Sequence, residues 1–125
     1  NLSKDLIFLS ASLKGQKKIQ KDIEEKIYLL KQNKIKTQPS KIKTGGSTFK
    51  NPKNQTQRKV WELINEIIPK NKIFGDAAIS EKHSNFFVNK KNATYDQMKQ
   101  LIDFVCTKIE KETGIKLELE IEIVG

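Results

Sequence analysis

The sequence predicts an α+β fold, with a small domain of short strands and two main helices over 41–125, preceded by a strand and a helix over 1–40. Three observations carry this expectation. Leu117, Leu119, Ile121 and Ile123 alternate with Glu118, Glu120 and Glu122, the period of two that a half-buried strand requires. Two stretches, one with Val60, Leu63, Ile64 and Ile67 and one with Met98, Leu101, Ile102, Val105 and Ile109, repeat apolar residues at the helical spacing of three and four. Between the first strand-and-helix pair and the rest stands Gln38-Pro39-Ser40, which ends whatever precedes it and sets a domain boundary near 36–44.

In chain order, 6–13 put Ile7, Leu9, Ala11 and Leu13 on one face and Leu6 and Phe8 on the other, which reads as a strand. After Gly15, Ile19, Ile23, Ile27 and Leu30 recur at intervals of four, four and three, giving an amphipathic helix over 16–32. Gly45 and Gly46 form a turn that frees the backbone and presents Ser47, and Thr48-Phe49 continue as a short strand that Pro52 stops. Residues 53–57 are a loop in which Thr56 serves as the cap of the next helix, with Trp61 at the edge of its apolar stripe. A turn at 69–72, an extended segment at 73–80, a polar loop to Asn85 and a short strand Phe86-Phe87-Val88 follow. Thr94 and Gln97 have the spacing of a capping box, and Gly114 supplies a left-handed exit from the last helix.

Composition narrows the function. With 125 residues, 36% hydrophobic and 31% charged, the chain holds enough apolar material for one core of ordinary size. No run approaches a membrane span and no start resembles a signal peptide, so a cytoplasmic protein without membrane association is expected. Cys106 stands alone, which excludes an internal disulfide, and its place in a helical apolar pattern predicts a buried, inert thiol. One His and one Cys make no zinc site, and no metal is expected. The net charge of +9 lies wholly in residues 1–53, where 13 lysines face 4 acids, whereas 54–125 balance 11 against 11. Such a half invites a polyanion, and a small basic nucleic-acid-binding module is the alternative reading. The lysines of 14–36 nevertheless lie on polar helix faces without interleaved aromatics, so a solvated surface is preferred.

The chemical candidates are few. No Gly-rich dinucleotide fingerprint exists, so a nucleotide cofactor would be held mainly elsewhere. Gly-Gly-Ser-Thr alone also occurs in plain loops, and the three glutamates of the last strand also suit a solvent-facing edge. A hydrolytic triad can be written from Ser47, His83 and Glu120, but any sequence of this length offers such a trio, and the reading is set aside.

Three motifs in order carry more: Gly45-Gly46-Ser47-Thr48-Phe49-Lys50-Asn51-Pro52, then Gly75 to Phe86 with Ser80-Glu81-Lys82-His83-Ser84-Asn85, then Gly114 with Leu117-Glu118-Leu119-Glu120-Ile121. Together they resemble the C-terminal part of the UDP-N-acetylenolpyruvoylglucosamine reductase (MurB) family, flavoenzymes of peptidoglycan precursor synthesis, over nearly the whole chain. The resemblance implies that 1–40 are the tail of an FAD-binding domain and 41–125 the substrate-binding domain. It implies FAD held mainly by a domain that this chain lacks, NADPH as reductant, UDP-N-acetylglucosamine enolpyruvate as substrate, and no turnover by this chain alone. Ser47 matches the family's proton donor, and Glu120 the acid that stabilises the enolic intermediate or orients the substrate carboxylate. Lys50 and Asn51 match positions close to the substrate. Glu81, His83 and Asn85, with Lys82, lie in a loop folded near the same site, and Gly46 is expected against the cofactor. Glu122 stands where the family carries a basic residue.

Overall fold

A four-stranded antiparallel sheet in the order β1-β4-β3-β2 forms the centre of the fold, with β1 at Lys43–Ser47, β2 at Ile73–Phe74, β3 at Ala77–Ile79 and β4 at Phe86–Asn89. The computed structural model describes residues 7, 9–39 and 41–124. Its helices are α1 (Gln20–Thr37), α2 (Val60–Ile67) and α3 (Tyr95–Thr113). This is the α+β arrangement that the sequence predicts.

Helices α2 and α3 cover one face of the sheet because their stripes are apolar at the right period. Val60, Leu63 and Ile64 of α2 and Leu101, Ile102, Val105 and Ile109 of α3 are buried against Ala77, Phe87 and Phe49. Each such side chain removed from water contributes roughly 1.5–3 kcal/mol. The rings of Phe49 and Phe87 meet edge to face, their centroids 5.6 Å apart. Helix α3 starts and stops as its sequence dictates. Thr94 Oγ1 accepts from Gln97 N at 3.2 Å, Gln97 Oε1 accepts from Thr94 N at 3.3 Å, and Gly114 leaves with φ +73°.

The extended segment expected over 73–80 is a hairpin. Ile73 pairs with Ala78 and Phe74 with Ala77, which leaves Gly75 and Asp76 as a two-residue turn with φ +55° at Gly75. The Gln97 amide packs directly over Gly75, 2.2 Å from where a Cβ would stand, and accepts from Asp76 N at 3.3 Å. The capping residue of α3 thus also fixes the hairpin.

Four other expectations are corrected. The two glycines are not a turn before a strand but a bulge inside β1. Thr44 pairs with Val88 and Ser47 with Phe86, so three steps on β1 match two on β4, and Gly46 takes φ +93° to accommodate the extra residue. Thr56 does not cap α2. Its Oγ1 accepts from Arg58 N, while the free N–H groups at the start of α2 go to Glu62, which accepts from Lys59 N at 2.6 Å, and to Asn51, whose Oδ1 accepts from Val60 N at 3.0 Å. The last segment is extended and keeps its alternation, with Leu117, Leu119 and Ile121 half-buried and Glu118, Glu120 and Glu122 exposed, yet among the described residues it makes one bridge, Phe49 to Leu119. One paired neighbour is enough to orient the segment and too little for a strand. Cys106 is half-buried rather than buried, and the loss of hydration raises its thiol pKa.

The N-terminal part differs most from expectation. Ile7 and 9–13 form no strand and are exposed, with Leu13 95% accessible; Leu6 and Phe8 lie outside the described residues. An extended segment keeps its shape only when a neighbour takes up its peptide groups, and no described strand lies beside this one. Helix α1 begins later and runs further than 16–32. Its lysine-rich end contains no stop before Gln38, where Pro39 disfavours helical backbone. None of its residues is buried.

Candidate active site

The polypeptide around Ser47 is held from two sides, by residues from two remote parts of the chain, 85–87 and 118–120. Ser47 closes β1 opposite Phe86 and is half-buried. Beyond it Thr48 N donates to Asn85 O at 2.7 Å, and the buried Thr48 Oγ1 accepts from Phe87 N at 3.2 Å. On the opposite side Lys50 N donates to Glu118 O and Glu120 N donates to Thr48 O, both at 2.9 Å. These two bonds flank the Phe49–Leu119 bridge, so the peptide N–H and C=O of Phe49 point the other way, toward Asn85. The Asn85 side chain meets them with both ends of its amide, accepting from Phe49 N at 3.0 Å and donating to Phe49 O at 2.8 Å.

The consequence is a juxtaposition of Ser47 with Glu120, 73 positions apart in sequence. Glu120 is hydrogen-bonded to the residue that follows Ser47, and Ile121 Cγ2 lies 3.4 Å from where a Cβ on Gly45 would stand. Among the described residues no hydrogen bond engages Ser47 Oγ and no ion pair engages the Glu120 carboxylate. Ser47 is half-buried and Glu120 exposed, and the pairing of the two backbones brings both residues to one end of the same hydrogen-bonded stretch. Gly46 is half-buried but leaves open space at its Cβ position, where nothing lies within 4 Å.

The other expected residues divide into two further groups. Lys50 and Asn51 line a small hollow of about 80 Å3 with Gln55, Lys116 and Glu118. Lys50 is exposed and 3.6 Å from the Glu118 carboxylate, a weak solvent-screened pair. Asn51 carries its α2 cap through Oδ1. Glu81 and His83 line a second hollow of about 410 Å3 with Trp61, Asn65 and Ser84, and Glu81 is exposed. Lys82 extends to the carbonyl of Ile35 at 2.9 Å. His83 is half-buried against the Phe86 ring, 4.9 Å between centroids, and burial lowers its pKa. Its Nδ1 accepts from Asn85 N at 3.2 Å, so the neutral ring carries its proton on Nε2. Asn85 itself is 5% exposed, and both ends of its amide are taken by Phe49, so its side chain supports the site rather than facing a ligand.

Two supporting residues escape a sequence reading. Thr48 was legible only as a strand former, though its hydroxyl satisfies the β4 backbone. Gln55 sits in a polar loop, and nothing in the sequence marks its grip on Lys116, where Nε2 donates to Lys116 O at 2.8 Å and Oε1 accepts from Lys116 N at 2.9 Å.

Comparison with known proteins shows the family to which the chain belongs. Residues 38–124 match the family described as "UDP-N-acetylenolpyruvoylglucosamine reductase, C-terminal domain". The chain belongs to that family. A Pelagibacter ubique protein named UDP-N-acetylenolpyruvoylglucosamine reductase is 56% identical over 124 residues, covering 99% of this chain and 41% of its own length. Proteins of the same name from Rickettsia bellii strain RML369-C and Rickettsia prowazekii are 42% and 41% identical over 125 residues, covering 100% of this chain and 40% and 41% of their own lengths. The chain therefore spans about two fifths of the length of these reductases. Nothing in the comparisons supports the nucleic-acid-binding alternative. Among the described residues no helix is long and apolar enough to cross a membrane, and no group of His, Cys, Asp and Glu could hold a metal ion.

Proposed function

We propose that the chain supplies the substrate-binding and proton-donating part of a UDP-N-acetylenolpyruvoylglucosamine reductase, which reduces UDP-N-acetylglucosamine enolpyruvate to UDP-N-acetylmuramate for peptidoglycan precursor synthesis in the cytoplasm. In this reading 41–125 form the substrate-binding domain, 1–40 belong to an FAD-binding domain, and this chain alone does not turn over. The observation that supports it is the hydrogen bond from Glu120 N to Thr48 O, which holds the backbone of Glu120 against the residue that follows Ser47.

FAD, reduced by NADPH, supplies the hydride when bound. The open backbone at Gly46, with room where a side chain would stand, fits a planar ring lying against it. A hydride added to the enol carbon leaves a carbanion delocalised into the neighbouring carboxylate. That carbon is basic enough to take the proton of Ser47 Oγ, and solvent returns a proton to the serine. Glu120 stabilises the enolic form or orients the substrate carboxylate. Lys50 offers a charge and the Asn51 amide an N–H group to the diphosphate. Glu81 and His83 belong to the same substrate surface, and Asn85 holds the backbone that carries Ser47.

The test is Ser47→Ala in the full-length enzyme, followed by rapid mixing. Flavin reduction by NADPH should proceed normally, and reoxidation by the enolpyruvyl substrate should slow by roughly two to four orders of magnitude, the usual loss when a positioned general acid goes. Equal slowing of both half-reactions would refute the proton-donor role. Ser47→Cys should retain part of the rate, because a thiol also donates a proton.

A further inference from the structure

The segment that carries Glu120 has no ladder of its own to hold it. Between 116 and 120 it makes four hydrogen bonds to the body of the domain. Two flank the Phe49–Leu119 bridge, and the other two both come from the side chain of Gln55. Gln55 binds the N–H and C=O of Lys116 as a neighbouring strand would, at 2.9 and 2.8 Å. Its loop is anchored in turn, since Gln55 N and Thr56 N both donate to Pro52 O at 2.9 Å, just after the Ser47-to-Asn51 stretch. On the other side of that stretch Asn85 makes the same two-pronged contact with Phe49. The Ser47 stretch and the Glu120 segment are thus each gripped by one primary amide, and the two grips are joined through the Phe49–Leu119 bridge.

We propose that Gln55 is a positioning residue for the reaction, acting with Asn85 to fix Glu120 relative to Ser47 by splinting the terminal segment at Lys116. This rests on the reading of Ser47 and Glu120 above. A carboxylamide suits the task because one group must both donate and accept. A carboxylate can only accept from Lys116 N, and an aliphatic side chain can do neither. Without the splint the segment keeps only the two bonds at its bridge, and Glu120 gains freedom to move with respect to the hydroxyl. Misplacement of about 1 Å is enough to cost on the order of a hundredfold in rate.

The experiment compares Gln55→Leu and Gln55→Glu with the parent full-length protein, by hydrogen exchange at Lys50 and over 115–121 and by the two flavin half-reactions. Gln55→Leu should lose protection at Lys50 N and Glu120 N, leave flavin reduction by NADPH unchanged, and slow reoxidation by the enolpyruvyl substrate roughly ten- to hundredfold. Gln55→Glu should fall between, since one of two bonds survives. Unchanged exchange would overturn the splint. Lost protection with undiminished reoxidation would overturn its positioning role, as would equal slowing of both half-reactions. If the parent protein shows no substrate-dependent reoxidation, it is the functional reading that fails, and the exchange result still decides whether Gln55 holds the segment.

Discussion

Helices α1 and α3 are nearly the same length, 18 and 19 residues, and both repeat apolar side chains at helical spacing, yet α3 buries four of them and α1 none. The buried side chains of α3 join those of the sheet and α2 in one apolar core, and Thr94, Gln97 and Gly114 fix where the helix begins and ends. For α1 the described contacts amount to isolated points such as Lys82 Nζ on the Ile35 carbonyl, and Ile23, Ile27 and Leu30 face solvent. A periodic stripe tells that a helix has a side to hide. It does not tell what hides it.

The largest expected effect separates the two helices outright. Leu101→Ala removes a fully buried side chain from the core and should lower unfolding stability by about 2–5 kcal/mol, whereas Ile27→Ala in α1 should change it by less than roughly 0.5 kcal/mol in this chain. Urea titrations of the two variants against the parent measure this, and a comparable loss for Ile27→Ala would show that α1 is packed. The same exposed stripe should cause the 125-residue chain to self-associate. Sedimentation of a double variant, Ile23→Lys with Ile27→Lys, should shift it toward monomer, and an unchanged distribution would remove the stripe as the cause.

Backbone geometry comes next in size. Gly75→Ala sets a Cβ into the Gln97 amide at a residue with φ +55°, so both the hairpin and the α3 cap must move. A loss of about 1–3 kcal/mol is expected, and thermal unfolding measures it. Thr94→Ala removes only the cap and should cost about 1 kcal/mol. Because nothing comparable caps α1, Gln20→Ala should be close to neutral.

These contrasts also mark what the sequence disclosed. The period of α3, its capping box and its glycine exit were legible because local chemistry decides all three. The alternation from Leu117 to Ile121 was legible too, but a lone strand pattern cannot show how many neighbours it has, and here one bridge and Gln55 replace a ladder. Gly45 and Gly46 announced unusual backbone without saying whether it was a turn or a bulge, since that depends on β4 forty residues later. Ser47 and Glu120 were singled out through resemblance. The pairing of their backbones, and the Asn85 and Gln55 grips that maintain it, depend on contacts 36 to 72 positions apart that no local pattern encodes.

The smallest expected effect is a pH dependence that belongs to the packed region alone. Burial lowers the pKa of His83 from its ordinary 6.5, and the neutral ring accepts from Asn85 N through Nδ1. Protonation fills that nitrogen and breaks the bond. Between the lowered folded-state value and 6.5 the unfolded chain binds more protons than the folded one, so stability rises with pH through this window. It is complete above 6.5 and is lost as pH falls toward the folded-state value. Urea midpoints should therefore decline on acidification from pH 7 more steeply in the parent than in His83→Asn, whose side chain can accept a hydrogen bond but does not titrate. Residues 20–37 contain no histidine, so exchange of the α1 amides should show no such difference between the two proteins. Parallel curves for parent and variant would mean that His83 titrates alike in both states and contributes nothing to holding Asn85.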